Sequence, residues 1–311
     1  MPGPGEVKLK IEAAGVNYVD VMRRRGDPMH EPSPTPFTIG YELAGTVAEV
    51  GEGVSHPRIG DRVFVNTGSG GYAQYAVVPA EAAIEMPPGL DAVRMVALWL
   101  QGLTAILALR HAGKIAKGET VLVEAAGGGV GTIAVQVARI LGAGRVIAAA
   151  SNEAKLDVAR SLGADLAVNY SQPGWVEEVW KLTGGQGVDV IVESVGGRIF
   201  EEALTTLAPF GRMIVLGAAS NQPATVHSGE LFNHNRALVG FGIHQYYPDG
   251  DLIRATIEEL VGYVVDGRLK LQLDHVLPLS EAAEAHRLIE NRLSTGKVVL
   301  CPWEIGATAV G

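Results

Sequence analysis

Hydrophobic and polar positions alternate in short runs over roughly the first ninety residues. Residues 7–13 (VKLKIEA) show the pattern best, and such alternation predicts a half-buried strand. Further strands are predicted at residues 41–50, 61–66, 72–78 and 84–86. A proline-rich segment, residues 26–36 (GDPMHEPSPTP), is predicted to be a surface loop. This part of the chain is therefore expected to be rich in β-structure.

From about residue 92 the pattern changes to short, continuous apolar runs separated by segments with helical periodicity. Six strands are predicted, at residues 121–124, 146–149, 166–169, 188–193, 212–216 and 237–243. Strands that alternate with helices indicate a doubly wound parallel sheet. The longest apolar run, residues 95–109, predicts a buried helix too short to span a bilayer.

The chain beyond residue 247 is expected to return to the first region. It is predicted to form a helix at residues 251–266, then a strand and loop as far as Leu279. A second helix at residues 280–291 and a closing strand at residues 297–301 follow.

A glycine-rich turn carries the clearest chemical signal. The apolar strand at residues 120–123 leads into Ala125-x-x-Gly128-x-x-Gly131 and then into a helix. Free N–H groups and the helix dipole at such a helix start favour a phosphate, and glycine lets the pyrophosphate approach closely. The alternative is a tight turn that binds no ligand. Residues predicted to contact a dinucleotide here and at later strand ends are Ala125, Gly128, Gly129, Val130, Gly131, Ser194 and Gly217.

The end of the next strand, at residues 145–150, indicates which dinucleotide is bound. NAD-binding units place an acidic residue there to bind the ribose 2′-hydroxyl, whereas this chain has Ser151, with Lys155 close behind. A hydroxyl and an ammonium group would bind a 2′-phosphate through charge-assisted hydrogen bonds. We therefore predict NADPH rather than NADH, the alternative being that Lys155 is only a solvated helix charge.

Composition narrows the class of protein. The chain has 311 residues, 47% of them hydrophobic, enough for two domains. A net charge of −9 argues against nucleic-acid and anionic-membrane partners. The single cysteine, Cys301, excludes a disulfide framework, and no signal peptide is evident at the start, so a cytoplasmic location is predicted.

Several motifs together resemble one family. The segment at residues 118–139 has the signature spacing of the zinc-free medium-chain dehydrogenases/reductases, in the NADPH quinone oxidoreductase (zeta-crystallin-like) group. Other shared motifs are AAGVN (13–17), GYE (40–42), GDRV (60–63), QGLTA (101–105), LGAD (162–165), NY (169–170) and GKVVL (296–300). The resemblance covers nearly the whole chain.

The resemblance implies an α/β fold with two domains. Residues 1–93 and 247–311 would form a GroES-like β-barrel catalytic domain, and residues 94–246 a Rossmann domain with a doubly wound parallel sheet. The cofactor would lie in the cleft between them, and a homodimer would form through the last Rossmann strand, residues 238–243. Relatives carry another strand before residue 2, so either this start is misassigned or the first domain lacks an edge strand.

No metal site is expected. By resemblance, zinc-dependent relatives have a cysteine where Asn17 stands and a histidine where Tyr41 stands, and they carry four further cysteines. Catalytic zinc needs about three protein ligands and structural zinc four. The eight histidines of this chain show no ligand spacing, although His244 lies near the expected cleft.

Without a metal, a conjugated carbonyl is the easier hydride acceptor, because the negative charge spreads onto its oxygen. Donors aimed at that oxygen would then suffice. The resemblance assigns catalytic roles to Asn17, Gln101 and Thr104, but Asn17 would equally serve as a helix N-cap, and the other two as polar packing. Pocket residues are expected to be Tyr18, Met22, Trp99, His244 and Tyr246. Tyr170 and Arg292 are expected to join Ser151 and Lys155 at the 2′-phosphate.

Three functions follow from these expectations. The first is NADPH-dependent reduction of a quinone or enone, a small-molecule substrate. Met22 stands where relatives commonly have a pocket tyrosine, so the acceptor is the least defined part. The second is an enoyl-thioester reductase of a fatty-acid or polyketide pathway, since the same hydride chemistry serves both. The third is a non-catalytic NADPH-binding sensor or structural protein.

Overall fold

A computed structural model describes residues 1–27 and 35–303, so most of the predicted proline-rich loop lies outside the described residues. The chain divides into two compact units. One comprises Met1–Leu100 with Gln272–Gly311, and the other comprises Gln101–Leu271. The α/β class, with a β-rich first unit and a parallel-sheet second unit, is confirmed.

The first unit is built around one long strand. Its sheet has the order β12-β13-β1-β2-β3-β5, and β4 pairs with the N-terminal half of β1, from Glu6 to Lys10. β13 pairs with Ala14, Gly15 and Val16 at the C-terminal end of β1. The last four residues of β1 are all buried, so the alternation is lost there, and Ala14 and Val16 pack against Ala285 of α9. Its elements are β1 (Glu6–Val16), α1 (Tyr18–Arg25), β2 (Glu42–Val50), β3 (Arg62–Asn66), β4 (Tyr75–Pro79), β5 (Ile84–Glu85), β12 (Leu273–Pro278), α9 (Ala282–Glu290) and β13 (Lys297–Cys301).

The second unit is a six-stranded parallel sheet in the order β11-β10-β9-β6-β7-β8. Strand order reverses between β6 and β9, which is where such sheets bind ligands at the strand carboxyl ends. Its elements, after α2 (Ala92–Leu107), which begins in the first unit, are β6 (Thr120–Val123), α3 (Gly129–Ile140), β7 (Arg145–Ala150), α4 (Glu153–Ser161), β8 (Leu166–Asn169), α5 (Trp175–Leu182), β9 (Val188–Glu193), α6 (Gly197–Thr205), β10 (Leu207–Val215), α7 (Ser228–Phe232), β11 (Ala237–Gly240) and α8 (Gly250–Val265).

The apolar helix is longer than predicted. A π-turn, Ala108–Ala112, continues α2, and the combined Ala92–Ala112 is long and apolar enough to cross a membrane. However, 83% of its most apolar window is buried inside the fold. The predicted burial of this helix is therefore confirmed, while the prediction that it is too short to span a bilayer is wrong.

The last strand of the parallel sheet is shorter than predicted. It ends at Gly240 instead of residue 243, and Ile243–Gln245 forms a short 3-10 turn. Its partner β10 ends at Val215, whose carbonyl accepts the final hydrogen bond from the Phe241 N–H at 2.9 Å. Beyond that point, residues 1–27 and 35–303 offer β11 no neighbouring strand with which to pair.

Helix α8 belongs to the second unit, whereas the predicted boundary at residues 246/247 assigned it to the first. Arg110 on the π-turn makes a bidentate ion pair with Glu259 of α8, at 2.8 and 2.7 Å. Gln136 on α3 donates to the Lys270 carbonyl at 2.9 Å and accepts from its N–H at 2.8 Å. These contacts explain why the compact units divide after residue 271, and the other division falls at 100/101 instead of 93/94.

Candidate functional site

The glycine-rich turn joins β6 to α3 as predicted. Ala125 adopts a left-handed backbone conformation (φ 46°), which is uncommon for a residue with a side chain. Its carbonyl accepts from the Gly128 N–H at 2.8 Å, and Gly128 is the N-cap of α3. Gly129 and Val130, in the first helical turn, are half-buried, and the first N–H groups of a helix have no partner within it. The turn thus presents donors suited to a phosphate.

Two glycines of the turn are required by close packing. A Cβ on Gly131 would lie 2.2 Å from the Ala125 carbonyl oxygen, so any other residue would push α3 away from the turn. A Cβ on Gly127 would lie 2.6 Å from the Lys155 Cβ, so the start of α4 packs directly against the turn. Lys155 is therefore carried by an element that touches the phosphate-binding backbone.

The predicted 2′-phosphate residues fall into two groups. Ser151 and Lys155 lie in the connection from β7 and the first turn of α4, where Asn152 is the N-cap and accepts from the Lys155 N–H at 3.1 Å. Tyr170 follows β8, and its N–H donates to the Ala150 carbonyl at 3.1 Å, which places its backbone beside the end of β7. Its side chain is 6% exposed and packs in the core, so the structure does not present it as an open contact.

Arg292 lies in the other compact unit, at an exposed turn after α9 with φ 56°. Its predicted role at the 2′-phosphate stays a prediction.

Other predicted contacts surround the same turn. Gln101 on α2 packs against it, because a Cβ on Gly129 would lie 3.2 Å from the Gln101 Cγ. Thr104 lies one turn further along α2 and is half-buried. Ser194 follows β9, and a Cβ on Gly217, after β10, would meet no atom within 4 Å. Sequence-predicted residues of this unit thus cluster at the carboxyl ends of the strands.

Two buried acids at the same strand ends were not predicted. Glu124 follows β6 and is 1% exposed, and Glu193 ends β9 and is 0% exposed. Glu193 Oε1 accepts the Val195 N–H at 2.7 Å and the Gly196 N–H. Burial raises the pKa of Glu124 well above its ordinary value, and the adjacent Glu193 raises it further. Burial likewise raises the pKa of Glu193.

The predicted catalytic residue Asn17 lies in the first unit, at the N-cap of α1, and its N–H donates to Asp20 Oδ2 at 2.9 Å. Its amide takes part in a buried cluster with Glu42 and Lys297. Asn17 Nδ2 donates to Glu42 Oε1 at 2.9 Å, and Lys297 Nζ donates to both Asn17 Oδ1 and Glu42 Oε1 at 2.7 Å. The amide nitrogen and the amide oxygen of Asn17 are therefore each held by a charged side chain. Asn17 thus occupies the N-cap position and also has a fixed side-chain amide.

A second polar group adjoins this cluster. The pKa of Asp20 is raised to about 6, chiefly by burial, with the Asn17 N–H and Lys297 acting against the rise. Tyr72 Oη lies 3.2 Å from His286 Nε2, and burial followed by Asp20 raises the pKa of Tyr72. Burial, followed by Arg24, lowers the pKa of His286, which favours the neutral imidazole.

The predicted pocket residues of the first unit are mostly covered. Trp99 is 2% exposed and packs on Phe64, with ring centroids 4.2 Å apart, so it lies in the core. Met22 is 7% exposed, and Tyr18 is half-buried. Trp99 is thus placed as a core residue and not as an open pocket wall.

The predicted pocket residues of the second unit lie beyond β11. The exposed His244 ring folds over Gly242, where a Cβ would lie 2.6 Å from its Cε1 atom. Tyr246 packs on Phe241 and on His111, with ring centroids 5.3 and 5.9 Å apart. Contacts with a substrate stay predictions for both residues.

Comparisons with known proteins agree with this arrangement. Residues 3–88 match the alcohol dehydrogenase GroES-like domain, and residues 129–260 match the zinc-binding dehydrogenase family. A 2-haloacrylate reductase from Burkholderia sp. is 36% identical over 97% of this chain and 92% of its own. A quinone oxidoreductase from Pseudomonas aeruginosa is 34% identical over 97% and 92%. The chain belongs to the quinone oxidoreductase family.

Structural similarity extends over the whole family fold. Escherichia coli quinone oxidoreductase, solved in complex with NADPH, has a TM-score of 0.89 and 31% identity, covering 97% of this chain and 93% of the other. The predicted family membership is therefore confirmed. So is the pairing of a GroES-like domain with a Rossmann-like sheet.

A zinc ion of the kind that the family description mentions does not fit the described residues. Asn17 and Tyr41 are poor zinc ligands, and the Lys297 ammonium already lies 2.7 Å from the Asn17 and Glu42 oxygens. Within residues 1–27 and 35–303, no three His, Cys, Asp or Glu side chains group as a metal site.

Glu42 and Lys297 lie inside family motifs, but no role was predicted for either residue. The sequence did contain a signal, because a lysine is the first residue of the apolar strand β13, and all five residues of that strand are buried. Glu124 gave a similar signal, since an acid directly after a buried strand and before the glycine turn needs a partner or a proton.

Proposed function

We propose that the chain reduces a conjugated carbonyl compound, a quinone or an enone, by hydride transfer from NADPH without a metal ion. The observation that carries the proposal is the β6–α3 turn with Ser151 and Lys155 beside it. The turn offers backbone donors for a pyrophosphate, and the β7–α4 connection offers a hydroxyl and an ammonium where a carboxylate would repel a 2′-phosphate. E. coli quinone oxidoreductase, similar over nearly the whole chain, is solved with NADPH.

Bound NADPH would supply the hydride, and the chain's own residues would hold and orient it. Gly129 and Val130 would bind the pyrophosphate through their N–H groups, while the Gly128 N–H holds the turn in place by donating to the Ala125 carbonyl. Gln101 would lie beside the turn, as its contact with Gly129 indicates, and Ser194 and Gly217 would line the strand ends. Most of the rate increase would come from this positioning.

Asn17 would act on the acceptor side of the reaction. Its amide is held by Lys297 and Glu42, so it is preorganised in a buried setting in which one cation and one carboxylate are paired. Preorganised groups need no reorganisation during the reaction. Thr104 is proposed as a further polar contact.

A second candidate function is reduction of an activated carbon–carbon double bond, as in an enoyl thioester. The observation that favours it is the similarity to a 2-haloacrylate reductase, whose named substrate is a conjugated alkene. The same hydride donor and the same fixed amide would serve this reaction, so only the acceptor differs.

The edge strand β11 is also proposed to form a homodimer with its counterpart in a second copy. Its outer side has no strand partner among the described residues, and Leu238 and Val239 are half-buried. Unpaired edges favour association with another strand. Light scattering should give a dimer mass. The Phe241 N–H donates to β10, so the Gly240 N–H faces the outer side, and Gly240→Pro, which removes that edge donor at an exposed position with open space, should shift the mass towards a monomer.

The test of function is NADPH oxidation with three acceptors: 1,4-benzoquinone, a simple alkyl enone and crotonyl-CoA, each repeated with NADH. Turnover with quinone or enone and a preference for NADPH is the expected result. Turnover with crotonyl-CoA alone would indicate that the reaction is enoyl-thioester reduction instead. NADPH binding with no turnover on any acceptor would favour a non-catalytic binding protein.

A further inference from the structure

Two acids meet at the point where the parallel sheet reverses its strand order. Glu124 follows β6 and Glu193 ends β9, and these strands are hydrogen-bonded neighbours. The Glu124 N–H donates to the Val192 carbonyl at 3.0 Å, which fixes the two chain segments against each other. Both side chains are buried, at 1% and 0% exposure. The carboxyl groups therefore lie in the interior, beside the turn that would hold a dinucleotide.

The hydrogen bonding of this pair is incomplete without one added proton. Glu193 Oε1 accepts from Val195 and Gly196. Glu193 Oε2 and both oxygens of Glu124 receive no well-aligned hydrogen bond from a donor in the described parts of the chain. One proton on Glu124 would let it donate to Glu193 Oε2, and both acids would then have a partner.

The charges around the pair favour that proton. Glu193 is the largest charge acting on Glu124, and it raises the pKa of Glu124 beyond the effect of burial. The N–H groups of Ser194 and Val195 lower that pKa, but by less. Two adjacent buried carboxylates cannot both ionise at low cost.

We propose that Glu124 and Glu193 share one proton in a carboxyl–carboxylate hydrogen bond that joins the ends of β6 and β9 and positions the cofactor-binding turn. On one side, Glu124 directly precedes Ala125, whose left-handed conformation begins the turn. On the other, Glu193 holds the N–H groups of Val195 and Gly196. Glu124 is thus a positioning residue.

Loss of the proton should weaken cofactor binding. A second carboxylate would repel its neighbour, spread the two strand ends, and add negative charge beside the phosphates of the dinucleotide. This consequence rests on the proposed NADPH function, whereas the shared proton itself does not.

The shared proton can be tested without cofactor. The infrared spectrum of the wild-type protein at about pH 8, where Asp20 with its pKa of about 6 is ionised, should contain a protonated-carboxyl band that Glu124→Gln removes. Glu178→Gln, an exposed substitution with the same change in charge, should leave the band unchanged. A band that is absent from the wild type, or that survives in Glu124→Gln, would overturn the proposal.

Thermal unfolding of the same proteins gives an independent check. The native pair holds a proton that an unfolded glutamate loses above about pH 4, so wild-type stability falls as pH rises. The melting temperature of Glu124→Gln relative to wild type should therefore increase between about pH 5 and about pH 8. A difference that stays constant over that range would contradict the shared proton.

The positioning role is tested by NADPH affinity. At neutral pH, Glu124→Gln should bind NADPH within about threefold of wild type, because its amide still donates to Glu193, while Glu124→Leu should bind about tenfold more weakly. At a pH high enough to remove the infrared band of the wild type, its Kd should exceed that of Glu124→Gln by at least about tenfold. Equal Kd values for Glu124→Gln and Glu124→Leu at neutral pH, or a ratio of wild-type Kd to Glu124→Gln Kd that does not change when the band is lost, would overturn the positioning role. Failure of wild type to bind NADPH would instead contradict the proposed function, with the infrared result still deciding the proton.

Discussion

Glu42 in the first unit and Glu124 in the second are both buried acids, yet the two units accommodate them differently. Glu42 lies 2.7 Å from the Lys297 ammonium and accepts from the Asn17 amide, so a cation balances its charge. Glu124 faces another acid, Glu193, and a proton takes the place of the cation. A buried glutamate in the first unit therefore depends on a cationic partner. In the second unit it depends on a bound proton, and therefore on pH.

The largest effect is expected from removing the cation of the first unit. Lys297→Met leaves Glu42 buried without its ion-pair partner, and such losses cost about 3–5 kcal/mol. Urea unfolding should show this decrease in the free energy of unfolding. Adding Glu42→Gln to Lys297→Met should restore part of the lost stability, because the unpaired buried charge is then removed.

Lys8→Met is the matched control. Lys8 pairs with Glu49 at 2.8 Å, but both side chains are partly exposed and solvent screens the pair, so the expected change is much smaller than at Lys297. Equal losses of unfolding free energy in Lys297→Met and Lys8→Met would show that the charge of Lys297 does not stabilise the buried cluster.

Asp20 should give the first unit a pH dependence of its own. Its pKa of about 6 in the folded protein exceeds the ordinary value of 3.8, so the folded state binds the proton more tightly and stability falls as pH rises from about 4 to about 6. Asp20→Asn should remove up to about 3 kcal/mol of this fall, measured by urea unfolding across that range. The exposed Asp266→Asn should follow the wild-type curve, and a similar curve for Asp20→Asn would contradict the assignment.

Gly131→Ala should disrupt the dinucleotide turn. Its Cβ would lie 2.2 Å from the Ala125 carbonyl oxygen, and overpacking of this kind costs about 1–3 kcal/mol. NADPH affinity should fall by at least about tenfold, since the α3 donors move. Gly262→Ala, in the interior of α8 with open space around it, should stabilise the protein by about 0.5–1 kcal/mol and leave affinity unchanged. If both variants bind NADPH normally, the turn is not the cofactor site.

The smallest expected effect concerns the choice of nucleotide. Lys155→Ala should raise the KM for NADPH at least about tenfold, close to 1.4 kcal/mol, with little change for NADH. Steady-state kinetics with both cofactors measures this, with the exposed Lys181→Ala as control. Equal losses for NADPH and NADH would remove the 2′-phosphate role of Lys155.

Patterns that act locally were predictable from the sequence. The alternation of apolar residues indicated β1, and the apolar runs indicated the strands of the parallel sheet. The glycine turn was placed correctly because each glycine reports a local steric need, as at Gly131. The change of pattern near residue 92 indicated two regions, and the family motifs supplied the GroES-like and Rossmann architecture of each.

Long-range pairing was not predictable in the same way. The Arg110–Glu259 pair keeps α8 in the second unit although its sequence pattern is compatible with either unit. β11 ends at Gly240 because its neighbour ends, which no property of residues 241–243 shows. Lys297 and Glu42 are 255 residues apart, and whether a buried acid meets a cation or another acid depends on such distant contacts.

The proposed hydride transfer from NADPH to a conjugated carbonyl can be followed in a single turnover. NADPH carrying deuterium at the transferred position would be mixed with the protein and 1,4-benzoquinone as acceptor. We expect oxidation within one turnover that is slowed by a primary isotope effect. Bound NADPH that stays reduced in the presence of quinone and enone acceptors would contradict the proposed hydride transfer.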